Sequence, residues 1–124
     1  MSSSRKNKNG ATLAELLAIA LRFRDERHWE QFHNFKDLAV TLALETAEVV
    51  EHVQWKNGKE LEAHLQKERE HVADELAYVL HVVLLLAEHL DVDLGKTFKQ
   101  KMLKNAKKYP VEKARGTSKK YTQL

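Results

Sequence analysis

The stretch 42-LALETAEVVEHVQW-55 decides how the chain is read. Leu42, Leu44, Val49 and Val50 give it the pattern of a buried amphipathic helix. Yet Glu45 and Glu48 stand one helical turn apart, so their side chains are neighbours on one stripe. Extending that stripe adds Thr41, His52 and Trp55. Two carboxylates about 6 Å apart repel by roughly 3 kcal/mol at an effective dielectric near 20. Water makes the pair cheap, so a solvated acidic face is the default reading of an E-x-x-E pair. The sharper reading is a cation held between half-buried acids, and oxygen-only ligands suit Mg²⁺ or Mn²⁺.

Working outward, Asn34 caps a helix expected from Lys36 to Trp55, and Gly58 in the following "KNG" is its expected stop. Upstream, Thr12 with Glu15 three residues on forms a capping box. The helix it opens presents Leu13, Leu16, Leu17, Ala20 and Leu21 on one face. "RDERHWEQFHNF" (24–35) has no period and reads as a helix end plus a loop. Downstream, a third helix is expected over Glu60–Leu90. Its first part, "ELEAHLQKEREH", is polar enough to be a separate turn. Its second part, "VADELAYVLHVVLLLAEHL", is apolar nearly all round, as in a helix buried on several sides, and in so small a chain that suggests an oligomer. Asp91 or Asp93 caps a fourth helix from Leu94 to about Tyr109, which Pro110 stops. The third helix sets Glu75 and Tyr78 on one face, with His71 a turn before, Val82 a turn after, and Asp74 within reach of Tyr78.

With 124 residues, 43% hydrophobic and 31% charged, the chain suits one soluble domain. One Pro and four Gly punctuate it sparsely, so the expected class is all-α, with four helices. Three segments are expected: a disordered N-terminal stretch over 1–11, a helical domain over 12–110, and a basic tail over 111–124. Without cysteine, disulfides and thiolate metal sites are excluded, and a reducing, cytoplasmic location is expected. "MSSSRKNKNG" lacks the apolar core of a secretory signal. The longest apolar run, Leu76 to Ala87, is too short to span a bilayer. Residues 99–124 hold nine Lys/Arg and one acid, a charge of +8, so the other 98 residues carry −5 of the total +3. A basic tail on an acidic body suits an anionic ligand near the tail or a solubilising extension. Nucleic acid is a poor partner for a body that repels phosphate over most of its surface.

"FRDERHWEQFHNFKDLAVTLALETAEVVEHVQWK", "VADELAYVLHVVLLLAEHLDVDL" and "KNAKKYPVEKARGTSKKYTQL" together resemble the MazG-like all-α nucleoside triphosphate pyrophosphohydrolases, and are most similar to their dCTP pyrophosphatase group. The resemblance covers roughly residues 13–124. It implies a four-helix bundle of the MazG-like type, assembled as a homodimer or a dimer of dimers, with the basic tail serving the active site or an interface. It implies Mg²⁺-dependent cleavage of a nucleoside triphosphate, dCTP or a modified relative, between the α and β phosphates, as nucleotide-pool cleansing. Glu45 and Glu48 fill the family's first acidic pair and Glu75 opens the second. The family's closing Asp stands here as Tyr78, a poor Mg²⁺ ligand unless deprotonated. Either Asp74 substitutes, or water completes the shell, or turnover drops and the chain binds nucleotide with little catalysis. Val82 stands where the dCTP group commonly has Tyr. The resemblance gives Trp29, His33 and Trp55 to the base, and Asn105, Lys108, Tyr109, Arg115 and Lys120, with Lys119, to the phosphates. Taken alone, the aromatics read first as a core-and-rim set, and the cations as a favourable last-turn charge pattern with a solubilising tail. The remaining histidines read as exposed or partner-facing, except His81, which is expected to hydrogen-bond in the interior. No H-E-x-x-H is present for zinc.

Overall fold

The computed structural model describes residues 10–124, so the disorder expected over 1–11 falls almost wholly outside the described residues. Those residues form two compact units, one ending at Asp91 and the other beginning at Val92. No β-strand occurs among them.

In the first unit, α1 runs Leu13–Glu26, a 3₁₀ turn Glu30–Phe32, α2 Phe35–Val53, α3 Gly58–Lys67 and α4 Arg69–His89. Local chemistry sets most of these boundaries. The Glu15 backbone N–H donates to Thr12 Oγ1 at 3.1 Å, and the Asp37 N–H donates to Asn34 Oδ1 at 2.8 Å. Both caps satisfy donors that a helix N-terminus otherwise leaves orphaned. Helices α1, α2 and α4 each end just before a residue in the left-handed region: His28 (φ 54°), Trp55 (φ 67°) and Asp91 (φ 54°). That position normally falls to glycine. The stop of α2 therefore lies at Gln54 and Trp55 rather than at Gly58, which opens α3.

The long helix expected over 60–90 is two helices, broken at Glu68. Its polar first part is thus a helix of its own, and with a further single turn at Val111–Ala114 the described residues hold six α-helices where four are expected. Helix α4 packs against both α1 and α2. Ala20 of α1, Leu38 of α2 and Leu85 of α4 form the core cluster, with Leu21 and Leu86 against it. Val82 is the most deeply buried side chain. Burial on α4 is confined to its second half: Leu76 and Leu80 remain exposed.

The second unit contains α5 (Leu94–Lys108), the single turn α6 (Val111–Ala114) and a 3₁₀ turn at Tyr121–Gln123. Of the two possible caps, Asp93 serves: its Oδ1 accepts from the Lys96 N–H at 3.0 Å. Pro110 follows α5 and opens α6.

Candidate active site

Helices α2 and α4 lie side by side, so residues one turn apart on each build two adjoining surfaces. The first surface is acidic. Glu45 and Glu48 project from α2 and Glu75 from α4, and they feel one another. Partial burial, the Glu48 charge with a hydrogen bond shared with it, and the Glu75 charge hold the Glu45 carboxyl above its ordinary pKa. Among the described residues no Lys or Arg lies within ion-pair distance of Glu45, Glu48 or Glu75. Glu75 Oε2 is buried without a hydrogen bond, although His52 Nε2 stands 2.9 Å away. The separation is that of a contact, but its geometry does not meet that of a hydrogen bond. An orphaned carboxylate oxygen with two further acids near it is an oxygen donor set of the kind a divalent cation takes, although the three carboxylates do not converge to within 4.8 Å of one another.

The second surface is an aromatic cavity of about 130 Å³. Ordinary small-molecule pockets run to roughly 300–1,000 Å³, so this one has room for a single planar group. Phe23, Trp29, Phe32, His33, Tyr78 and His81 supply its rings. Phe23 meets Trp29 edge-on at 5.7 Å, and Tyr78 stacks on His81 at 5.1 Å with 27° between planes. Thr41, a turn before Glu45, and Tyr78, a turn after Glu75, also line it, so the cavity adjoins the acids along both helices. Among the described residues His33 Nδ1 is buried with no partner. Burial first, and then the Arg24 charge, lower the His33 pKa; burial and His33 lower that of His81. Both imidazoles are therefore neutral at pH 7.

Several of the residues singled out by sequence lie apart from the acids or the cavity, or turn another way. Tyr78 stands at the position of the family Asp, but its ring turns to the cavity and stacks on His81. Asp74 does not join Glu45, Glu48 and Glu75; one residue before Glu75 it lies about 100° around the helix, exposed beside Gln66–His71. Trp55 is 88% exposed and lines no part of the cavity that holds Trp29 and His33. His81 makes no hydrogen bond among the described residues and packs by its ring instead.

His52, His64 and His71, expected to be exposed or partner-facing, come together around Glu75. The sequence carried half of this signal: His52 is four residues after Glu48, and His71 four before Glu75. His64 needed the fold, because only the break at Glu68 turns α3 back towards α2.

In the second unit, Lys108 Nζ sits 4.9 Å over the Tyr121 ring, and Tyr109 meets the same ring at 5.9 Å. Asn105 is half-buried on α5, and Tyr109, Arg115 and Lys120 are exposed. Tyr121, which organises this cluster, was not singled out by sequence.

The sequence pattern of the MazG-like family matches residues 40–124. The chain belongs to the MazG-like family. This MazG-like chain is 38% identical over 115 residues to dCTP pyrophosphatase 1 of Rattus norvegicus, covering 91% of this chain and 68% of that protein. It is 36% identical over the same length to dCTP pyrophosphatase 1 of Homo sapiens, with the same coverage. Among solved structures, a pyrophosphatase from Archaeoglobus fulgidus DSM 4304 superposes with a TM-score of 0.73 at 38% identity, covering 78% of this MazG-like chain and 91% of that one.

Proposed function

We propose that this chain is a divalent-metal-dependent nucleoside triphosphate pyrophosphohydrolase, with dCTP or a modified dCTP as substrate. Water attacks phosphorus, the α–β anhydride breaks, and a nucleoside monophosphate and pyrophosphate leave. A pyrophosphatase hydrolase is supported by the named relatives and by the solved structure it resembles. The observation that carries the finer reading is the nearness of Glu45 to Glu48 and Glu75 across two helices, with no Lys or Arg counter-ion among the described residues, beside an aromatic cavity.

Glu45, Glu48 and Glu75 would hold Mg²⁺ or Mn²⁺, which supplies neutralisation of the phosphate charge and acidification of water. The carboxylates fix where that charge sits, and positioning is most of what phosphoryl transfer asks of a protein. Trp29 stacks on the base, and neutral His33 offers its free Nδ1 to the base edge or the sugar. Asn105, Lys108, Tyr109, Arg115 and Lys120 are assigned to the phosphates, with Lys108 held in place by the Tyr121 ring. Trp55, exposed and left-handed, is assigned to close the base site when a second copy assembles. Exposed Leu44 (62%) on α2 and Leu76 (54%) on α4 support assembly as a homodimer or a dimer of dimers. No described helix is long and apolar enough to cross a membrane, and nucleotide-pool cleansing in the cytoplasm is the role such an activity serves.

Tyr78 favours a second reading. With its ring in the cavity the acidic face has three carboxylates, which suffice if Mg²⁺ keeps several waters, as it usually does. If they do not suffice, the chain binds nucleotide and turns it over slowly. A panel of nucleoside triphosphates, with and without Mg²⁺, scored for pyrophosphate against Glu48→Gln, separates the readings. Release that needs Mg²⁺ and Glu48 supports the enzyme. Binding without release supports the second reading, and neither binding nor release rejects both.

A further inference from the structure

Three histidines and two glutamates, from α2, α3, α4 and the turn between the last two, converge on one side of the acidic face. One ligand atom from each of His52, His71 and Glu75 lies within 4.8 Å of the others. We propose that His52, His71 and Glu75 form a binding site for a nitrogen-preferring transition-metal ion of the zinc class. The inference stands whether or not the chain is a pyrophosphohydrolase.

The contact between His52 and Glu75 is the first support. Nε2 and Oε2 stand 2.9 Å apart, yet the oxygen is buried with no hydrogen bond. A plain ion pair would aim the N–H at the carboxylate. Two ligands of one ion behave differently. With metal–ligand bonds of about 2.0–2.2 Å and angles between square and tetrahedral, they stand roughly 2.9–3.4 Å apart and point past each other. His71 Nε2 lies 3.9 Å from the other oxygen, Oε1. Its side chain is 64% exposed, so a small rotation brings it in.

The second support is the ring of groups behind the ligands. His52 Nδ1 is 3.3 Å from His64 Nε2, and His71 Nδ1 is 3.7 Å from Glu68 Oε2. The far nitrogen of His52 thus has a hydrogen-bonding partner, and that of His71 faces a carboxylate at longer range, each with its near nitrogen on the Glu75 side. Metal-binding histidines are habitually oriented this way, by a carboxylate or another acceptor on the second nitrogen.

Donor chemistry separates this site from the oxygen face beside it. Two imidazoles and a carboxylate suit Zn²⁺, Ni²⁺ or Cu²⁺, whereas Mg²⁺ takes oxygen. Three protein ligands leave one position open for water or substrate. Glu75 belongs to both surfaces, so an ion between the histidines competes for the carboxylate that the Mg²⁺ face uses.

The test uses tag-free, chelator-treated full-length protein without nucleotide. Zinc is titrated calorimetrically, and Co²⁺ serves as a coloured substitute in excess Mg²⁺. Wild type is expected to take up one equivalent and give a cobalt band of low-coordinate nitrogen–oxygen type. His71→Ala should lose at least tenfold in affinity, and His64→Ala about tenfold through its orienting bond. His28→Ala, at an exposed histidine outside the cluster, should bind as wild type does. His71 is exposed enough that its removal leaves the fold intact, which far-UV circular dichroism checks. Zinc uptake equal in wild type and His71→Ala, or none in wild type, overturns the site. Because nothing is hydrolysed in these measurements, their failure leaves the proposed activity standing, and failure of the nucleotide panel leaves the zinc site standing.

Discussion

The aromatic cavity and the acidic face share two helices but are finished to different degrees. In the cavity four of the six rings already have a ring neighbour: Phe23 against Trp29 and Tyr78 against His81. In the acidic face, like charges meet, and a carboxylate oxygen of Glu75 is buried without a hydrogen bond. Apolar and aromatic contacts close on themselves during folding, because any neighbour of the right shape will do. Carboxylates brought together by the same packing do not, because each needs an opposite charge that the described residues do not place there. The ring contacts of the cavity are therefore preformed, whereas the acidic face keeps its charges unpaired among the described residues.

That contrast makes the two surfaces separable by mutation. Glu48→Gln keeps the side-chain shape at an exposed position while removing a charge. Replacing even an outer-shell metal partner costs about 10–100-fold in affinity or activity, so loss of a direct ligand should lower Mg²⁺-dependent pyrophosphate release by about 100-fold or more. Nucleotide binding without metal should stay nearly unchanged, as fluorescence titration would read. Trp29→Ala should do the reverse. A lost base stack is worth about 1–3 kcal/mol, so nucleotide affinity should fall by roughly 5–150-fold while the Mg²⁺ concentration for half-maximal release stays put. If Glu48→Gln weakens metal-free nucleotide binding as much as Trp29→Ala does, the surfaces are one site and the contrast fails.

Tyr78→Asp probes the boundary, because it moves one residue's chemistry from the cavity to the acids. A fourth carboxylate should raise turnover severalfold and lower the Mg²⁺ requirement. Loss of the ring on His81 should weaken base affinity. A variant slower than wild type at saturating Mg²⁺ would show that Tyr78 contributes to the reaction as it stands.

The acids also leave a mark on stability. The Glu45 carboxyl is held above its ordinary pKa by burial, by Glu48 and by Glu75. In the native state it therefore binds its proton more tightly than in the unfolded chain. The contribution of Glu45 to the stability of metal-free protein should be fully present below about pH 4.5 and be lost as pH rises through the raised value. Glu45→Gln, or added Mg²⁺, should flatten that decline in thermal melts. A melting temperature equally pH-dependent in wild type and Glu45→Gln would place the strain elsewhere.

How much of this was legible in the sequence follows from how local each feature is. The caps Thr12, Asn34 and Asp93 were readable because a cap is a matter of three adjacent residues. So was the acid stripe, because Glu45 and Glu48 share a turn. The break at Glu68 was visible only as a change of polarity, since no Pro or Gly marks it. The meeting of His64 with His52 depends on that break, and so lay beyond any reading of spacing. The direction of the Tyr78 ring was likewise hidden: its position matches a metal ligand, and only packing against His81 decides otherwise.

The smallest expected effect compares His28 with Trp55, which occupy the same backbone conformation for different reasons. A non-glycine residue in the left-handed region costs about 1–2 kcal/mol. Glycine removes that strain but surrenders about 0.5–1 kcal/mol of backbone entropy. His28→Gly should thus gain about 0.5–1 kcal/mol, seen as a rise of a few degrees in melting temperature, with nucleotide affinity unchanged. Trp55→Gly relieves the same strain at φ 67° and, with a side chain 88% exposed, sacrifices little packing. It too should melt higher, but with weaker nucleotide binding, because a bulky ring kept exposed in a strained backbone is tolerated where the ring has a partner to meet. Unaltered affinity in Trp55→Gly would remove Trp55 from the base site and leave stacking to Trp29 alone.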